Sequence, residues 1–206
     1  RYVAVLGAGM AKNDACAGSA VFLVDLEGHD DGNGPGSIYG SETNGGPIII
    51  VDTSPSGVTA GDEILSTPSG SNISNALPAS PIVITPDTAP NIPWRGALVY
   101  VNDLEGKITK INLSNNTKGY ESGKLISGVT ELYDQTTLFK LNATEDNARY
   151  SYFSMDAGLG VSDGGFWLFG STGNFTDLGG RQAGLDNILY GVQDKHYPYW
   201  KHLNGV

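Results

Sequence analysis

An acidic, glycine-rich stretch carries the residue types that bind a hard cation. Counted from Asp31, positions 1, 3, 6 and 12 are Asp31, Asn33, Gly36 and Glu42. Those positions matter in a calcium loop, where oxygen ligands surround the ion and glycine makes the bend. Position 5 is Pro35, which offers no side-chain oxygen, and the alternative interpretation is a solvated turn. The predicted metal site is Asp31, Asn33 and Glu42, with calcium as the candidate ion and no other cofactor.

No residue pattern in the chain points to catalysis. The three histidines lack the spacing of a metal site, the one cysteine, Cys16, cannot form an internal disulfide, and there is no Gly-x-Ser-x-Gly elbow. Residues 3–9 begin like a dinucleotide-binding fingerprint, but the connection to the next strand is too short for a crossover helix. We therefore expect a strand and a glycine-rich loop there, no catalytic residues, and a protein that is not an enzyme.

Composition favours many short strands. The 206 residues include 29 Gly and 10 Pro, and only 17% are charged; glycine and proline are the worst helix formers. The net charge of −10 repels phosphate backbones, so nucleic acid is not an expected partner. No apolar run reaches the roughly 18 residues of a membrane-spanning helix.

Short apolar runs, bounded by Gly, Pro, Asn and Asp, predict an all-β fold. They lie at residues 2–6, 20–24, 47–51, 82–84, 97–101, 107–113, 137–141, 150–153, 165–169 and 187–192. The run at 107–113 alternates imperfectly and predicts one wet and one dry face. Residues 53–79, rich in Ser, Thr, Gly and Pro, are predicted to be a long connection or surface insertion within a single domain of residues 1–206.

An internal repeat suggests how the strands are organised. Gly-Ser-Ala-Val-Phe-Leu-Val-Asp-Leu-Glu-Gly at 18–28 matches Gly-Ala-Leu-Val-Tyr-Val-Asn-Asp-Leu-Glu-Gly at 96–106, and residues 187–194 are a looser copy. Each copy predicts a strand, a tight turn where glycine supplies a positive φ, and a return strand. Recurring hairpins of one type are typical of β-propeller blades.

Three stretches also resemble one family when taken together. They are residues 2–9 with 18–25; the proline-led run at 77–84 with the Tyr-Val-Asn-Asp hairpin at 100–103; and Phe-Gly-Ser-Thr-Gly at 169–173 with Leu-Tyr-Gly-Val-Gln-Asp at 189–194. They resemble the C-terminal β-propeller of the PilY-type assembly and tip-associated adhesins of type IV pili. The resemblance implies a non-enzymatic, extracellular adhesive and structural module at the pilus tip.

The same resemblance implies that this chain is part of a larger ring. At the usual blade length, 206 residues supply about four blades, roughly half of the family's propeller. The expected partners are minor pilins or the remainder of the same adhesin, with a host surface or glycan as further candidates. Where the family carries a calcium loop, this chain offers only Asp87 and Asn91 as side-chain ligands, so we expect no strong calcium site there.

Two alternative functions remain open at this stage. A carbohydrate-binding propeller is favoured by Trp94, Trp167 and Trp200. A periplasmic quinoprotein-like enzyme would need a cluster of Arg, Asp and Asn with a disulfide or metal ligands, which 12 Lys plus Arg and one Cys make hard to assemble. Trp167 and Phe169 alternate beside Leu168, so one face of that strand is predicted to be buried; if Trp167 is core, its truncation costs about 3–5 kcal/mol.

Overall fold

The described part of the chain is all-β. The computed structural model describes residues 3–10, 18–26, 48–53, 76–85, 96–114, 118–121, 124–127, 135–141, 143, 149–162, 164–174, 179 and 187–200, and no helix occurs among them. The strands are β1 (Val3–Gly7), β2 (Ala20–Asp25), β3 (Ile48–Asp52), β4 (Ile82–Ile84), β5 (Gly96–Asn102), β6 (Lys107–Ser114), β7 (Lys118–Glu121), β8 (Lys124–Ser127), β9 (Gln135–Lys140), β10 (Asp156–Leu159), β11 (Phe166–Ser171) and β12 (Leu189–Asp194). The predicted fold class is confirmed at this level.

The strands form three antiparallel sheets and one separate hairpin. The first sheet has the order β1-β2-β3, the second β4-β5-β6-β9 and the third β10-β11-β12, while β7 and β8 pair with each other. The antiparallel pairing of β1 with β2 excludes a dinucleotide-binding crossover, which requires parallel strands. The predicted strand is confirmed as β1 and is followed by Gly9, whose φ is +76°, while residues 11–17 of the predicted loop lie outside the described part of the chain.

The second sheet is buried on both of its faces. On one face, Leu98, Tyr100 and Ile108 belong to a buried cluster with Phe166 and Leu168 of the third sheet. On the opposite face, a second buried cluster joins other side chains of β5 and β6 to the first sheet; its members are Val21, Leu23, Leu77, Val99, Val101 and Ile111. The second sheet therefore lies between the other two.

This packing overturns the prediction that strand 107–113 has one wet face and one dry face. Residues Lys107 to Asn112 are all buried, and Leu113 is half-buried. The sequence predicts that the polar side chains are exposed, because alternation of polar and apolar residues normally indicates a half-exposed strand. Here a neighbouring sheet covers each side, so the polar groups point into protein and bond there.

The turn between β5 and β6 forms as the repeat predicts. The Gly106 amide donates to the Asp103 carbonyl at 2.9 Å, and the Lys107 amide donates to the Asp103 carboxylate at 2.8 Å. Gly106 has a φ of +78°, and a Cβ there would lie 2.5–2.9 Å from the Leu141 side chain. Glycine is thus required both by conformation and by space. After β2, by contrast, the return strand begins only at Ile48.

The two close copies of the repeat meet through equivalent faces. Val21 and Leu23 of the first copy correspond to Val99 and Val101 of the second, and all four lie in the same buried cluster. Phe22 pairs with Leu6 on the other side of the first sheet, whereas its counterpart Tyr100 faces the third sheet. The two copies therefore meet through equivalent faces, whereas blades related by rotation about a propeller axis would bring opposite faces together.

Both described ends of the predicted insertion, residues 53–79, contain buried residues. Thr53 is buried at its start, and Ala76 and Leu77 are buried at its end. Leu77 donates and accepts backbone hydrogen bonds with Gly9 at 3.1 Å and joins the second cluster. Residues 54–75 lie outside the described part of the chain.

Candidate binding surface

Most of the residues considered as ligand contacts in the sequence lie outside the described part of the chain. These are Asp31, Asn33 and Glu42 of the predicted metal site, Asp87 and Asn91 of the loop where no strong calcium site is expected, and Trp94. Within the described residues, no three His, Cys, Asp or Glu side chains come together in a way that could hold a metal ion. The described residues also contain no helix long and apolar enough to cross a membrane.

A buried ion pair joins the second and third sheets. The Nζ atom of Lys110 lies 2.6 Å from Oδ2 of Asp194, and both side chains are almost fully inaccessible. The same carboxylate oxygen accepts a hydrogen bond from the Tyr100 hydroxyl at 2.8 Å, and its other oxygen accepts one from the His196 amide at 3.0 Å. Lys110 also donates to the Tyr199 carbonyl at 2.9 Å.

The electrostatics of this network are those of a desolvated structural pair. Burial lowers the pKa of Lys110, and the charge of Asp194 opposes that effect. Burial raises the pKa of Tyr100 well above its usual value of 10.0, and Asp194 adds to the rise by its charge and its hydrogen bond. Because the polar atoms bond to one another out of reach of solvent, the network holds two sheets together rather than contacting a substrate.

A second buried lysine does similar work on the opposite face of β6. Lys107 donates to the carbonyl of Thr53, which directly follows β3 of the first sheet, and lies 3.6 Å from Oδ2 of Asp103. Burial lowers the pKa of Lys107, and the Asp103 charge opposes the shift. Strand β6 therefore contributes one buried lysine to the contact with each neighbouring sheet. The sequence signal for these two buried cations is the presence of two lysines in one predicted strand.

Two aromatic side chains, Trp167 and Phe169, lie on the outer face of the third sheet. Phe166 and Leu168 point into the core, while Trp167 is half-buried and Phe169 is 50% exposed. The prediction that one face of this strand is buried is confirmed. Of the two alternatives for Trp167, core or outer face, the structure has the side chain half-buried on the outer face, because the third sheet packs on the second through the residues of opposite parity.

The two outer rings lie close together over bare backbone. Trp167 and Phe169 are stacked, with ring centroids 6.5 Å apart and an interplanar angle of 16°. A Cβ at Gly191 of β12 would lie 3.3 Å from the Phe169 ring and 3.7 Å from the Trp167 ring, and one at Gly158 of β10 would lie 3.8 Å from the Phe169 ring. The absence of side chains at both glycines lets the rings approach the neighbouring strands.

Polar residues complete this outer face in a diagonal pattern. Trp167 pairs with Gly158 on one side and Gln193 on the other, while Phe169 pairs with Asp156 and Gly191. Each ring therefore has one glycine and one polar neighbour, at opposite corners. We call these six residues the aromatic surface. Asp156 is exposed, and its Oδ1 accepts a hydrogen bond from the Ala157 amide at 2.8 Å.

The chemistry available at the aromatic surface is binding without reaction. Flat rings offer a stacking face to C–H groups or another π-system, and the carboxylate and amide offer hydrogen bonds at the edge. Of the other tryptophans predicted to contact a sugar, Trp200 is buried in the first cluster, with Nζ of Lys110 6.0 Å from its ring. Sequence reasoning singled out Trp167 and Phe169 but missed Asp156 and Gln193, because their neighbourhood arises only from strand pairing.

The outer face of the first sheet differs in character. Leu6 is 53% exposed there, and Phe22 and Val24 are half-buried. Leu6 pairs with Phe22, and Ala4 pairs with Val24. This face is aliphatic apart from one ring, whereas the aromatic surface combines two rings with a carboxylate and an amide.

Comparisons with known proteins do not place the chain in a family. No protein-family model matches the sequence, and no curated protein or solved structure matches it either. The resemblance to pilus-tip adhesins therefore stays a prediction that depends on the motifs named above.

Proposed function

We propose that this protein is a non-enzymatic structural and adhesive module of a type IV pilus tip, exposed outside the cell. The resemblance implies a β-propeller; the equivalent faces that meet between the first and second sheets depart from that arrangement, so the proposal rests on a framework of three stacked antiparallel sheets. The module acts by presenting sheet faces and loops to partners, with no chemistry of its own.

The observation that carries this proposal is how the described charges are used. Lys110 and Asp194 bond to each other between the second and third sheets, and Lys107 bonds to the end of the first. Charged groups that bond to each other between sheets are not available to contact a partner or a substrate. The apolar outer faces of the first and third sheets are the surfaces left for partners.

The first sheet is the face that we assign to the remainder of the adhesin or to a minor pilin. Its exposed Leu6 and half-buried Phe22 and Val24 form an apolar strip without charged neighbours among the described side chains of β1 and β2. A further antiparallel sheet could cover that strip, as the second sheet covers the inner face. If that sheet met the strip through its opposite face, the arrangement would match successive propeller blades. If it met the strip through its equivalent face, the arrangement would be two-fold.

Immunogold electron microscopy tests the proposal directly. Antibodies raised against the 206-residue chain are applied to intact cells that produce the protein, with cells lacking its gene as the control. Gold at the ends of surface filaments is the expected result. Gold along the filament shaft, or labelling only after the cells are permeabilised, would contradict the pilus-tip assignment whatever the chain binds.

A further inference from the structure

We propose that the aromatic surface is a carbohydrate site that takes a neutral pyranose. The inference rests on the adhesive function proposed above and names the ligand class that this face would recognise. Its rings stack on the C–H face of the sugar, and Asp156 and Gln193 bond to hydroxyl groups at the sugar's edge.

The ring geometry supplies the first step. The Trp167 and Phe169 rings are within 16° of parallel, with centroids 6.5 Å apart, and both belong to one face of the sheet. Gly158 and Gly191 hold no side chain between these rings and the backbone, so the rings rest against fixed strands. A platform that is already ordered loses little side-chain entropy when a flat ligand stacks on it.

The position of the polar groups supplies the second step. Asp156 stands opposite Phe169, and Gln193 stands opposite Trp167 on the other edge of the pair. A carboxylate accepts hydrogen bonds, and an amide both donates and accepts them. Two such groups at opposite corners of an apolar platform match a ring whose faces are apolar and whose rim carries hydroxyl groups.

Charge selects among possible flat ligands. The chain has a net charge of −10, and Asp156 adds a carboxylate at the surface itself. Nucleotides and acidic sugars are repelled by such a field, whereas an uncharged sugar is not. The strip on the first sheet has no carboxylate among its described side chains, which is why we assign the sugar to the third sheet and a protein partner to the first.

The test begins with a panel of immobilised neutral and acidic glycans probed with the intact 206-residue chain. The best neutral glycan is then titrated in solution by calorimetry against wild type, Trp167→Ala and Phe169→Ala. We expect each alanine variant to bind at least tenfold more weakly and Phe169→Tyr, which keeps the ring, to bind within about threefold of wild type. Asp156→Asn, which keeps hydrogen-bonding capacity, should lose less than Asp156→Ala.

Phe153→Ala is the matched control. Phe153 is 47% exposed, close to the 50% of Phe169, but it does not belong to the aromatic surface: its ring lies beside Gly173, where an added Cβ would be 3.8 Å from it. This variant should bind as wild type does. Three results would overturn the inference: no neutral glycan bound at millimolar concentration, binding unaffected by both alanine variants, or self-association of the chain that Phe169→Ala abolishes. Each is compatible with gold at filament ends, so the site and the proposed function fail separately.

Discussion

The two faces of strand β11 are made of similar residues but serve different ends. Phe166 and Leu168 face the second sheet and are 4% and 0% exposed, whereas Trp167 and Phe169 face outward. The difference lies in what covers each face. Leu168 pairs with Ala157 and Val192, but Phe166 pairs with the carboxylate Asp194 and is still buried, because the second sheet packs over the inner face. An aromatic side chain of β11 thus belongs to the core when another sheet covers its face, whatever the character of its cross-strand neighbours.

Truncating the inner aromatic ring should give the largest effect. Phe166 stacks on Tyr197 with centroids 4.3 Å apart and contacts Tyr100 at 5.3 Å. Phe166→Ala removes these contacts and leaves a cavity, so we expect a loss of about 3–5 kcal/mol in the free energy of unfolding. Urea denaturation followed by circular dichroism measures it. A loss below about 1 kcal/mol would mean that the inner face is not a packed core.

Breaking the ion pair between the sheets should cost nearly as much. Lys110→Met leaves Asp194 buried without its cation, and breaking one side of a buried pair costs about 3–5 kcal/mol. In the double variant Lys110→Met/Asp194→Asn the uncompensated charge is absent, so part of the loss should be recovered. If instead the two single losses simply add in the double variant, the two side chains do not interact as described.

Removing one hydroxyl from the same network should have a smaller effect that depends on pH. Tyr100→Phe deletes a hydrogen bond to Asp194, which costs about 1–3 kcal/mol when the acceptor is buried. The raised pKa of Tyr100 means that its contribution is complete below pH 10 and is lost as pH rises toward the folded-state pKa. Wild type should therefore lose stability above pH 10 more steeply than Tyr100→Phe; parallel curves would place the hydroxyl in solvent.

Much of the strand pattern could be predicted because apolar runs and turn residues are local signals. The run at 82–84 matches β4, and the Asp-Leu-Glu-Gly turn forms at 103–106. The prediction of a strand at 150–153 is wrong. Ser151 makes only an isolated bridge to Gly173, and the strand lies at Asp156–Leu159 instead. That strand reads Asp-Ala-Gly-Leu, whose low intrinsic β-propensity is overridden by pairing with β11.

The functional surface could be predicted only in part. Trp167 stands out in the sequence by its size, but its exposure depends on which face of β11 meets the second sheet. Asp156 and Gln193 lie 11 residues before and 26 after Trp167, and nothing local connects them. The buried lysines were hidden for a related reason, since a lysine in a strand ordinarily indicates solvent.

The central claim is that the outer face of β11 is available to a ligand, and one pair of variants tests it most directly. The free energy of unfolding is measured in urea for Phe169→Ala and for the neighbouring Leu168→Ala. We expect Leu168→Ala to lose about 2–5 kcal/mol because its side chain is buried, and Phe169→Ala to lose under about 1 kcal/mol, the scale of a cross-strand contact. Equal, large losses in both variants would mean that the outer face is core, and the aromatic surface would then not exist as a binding site.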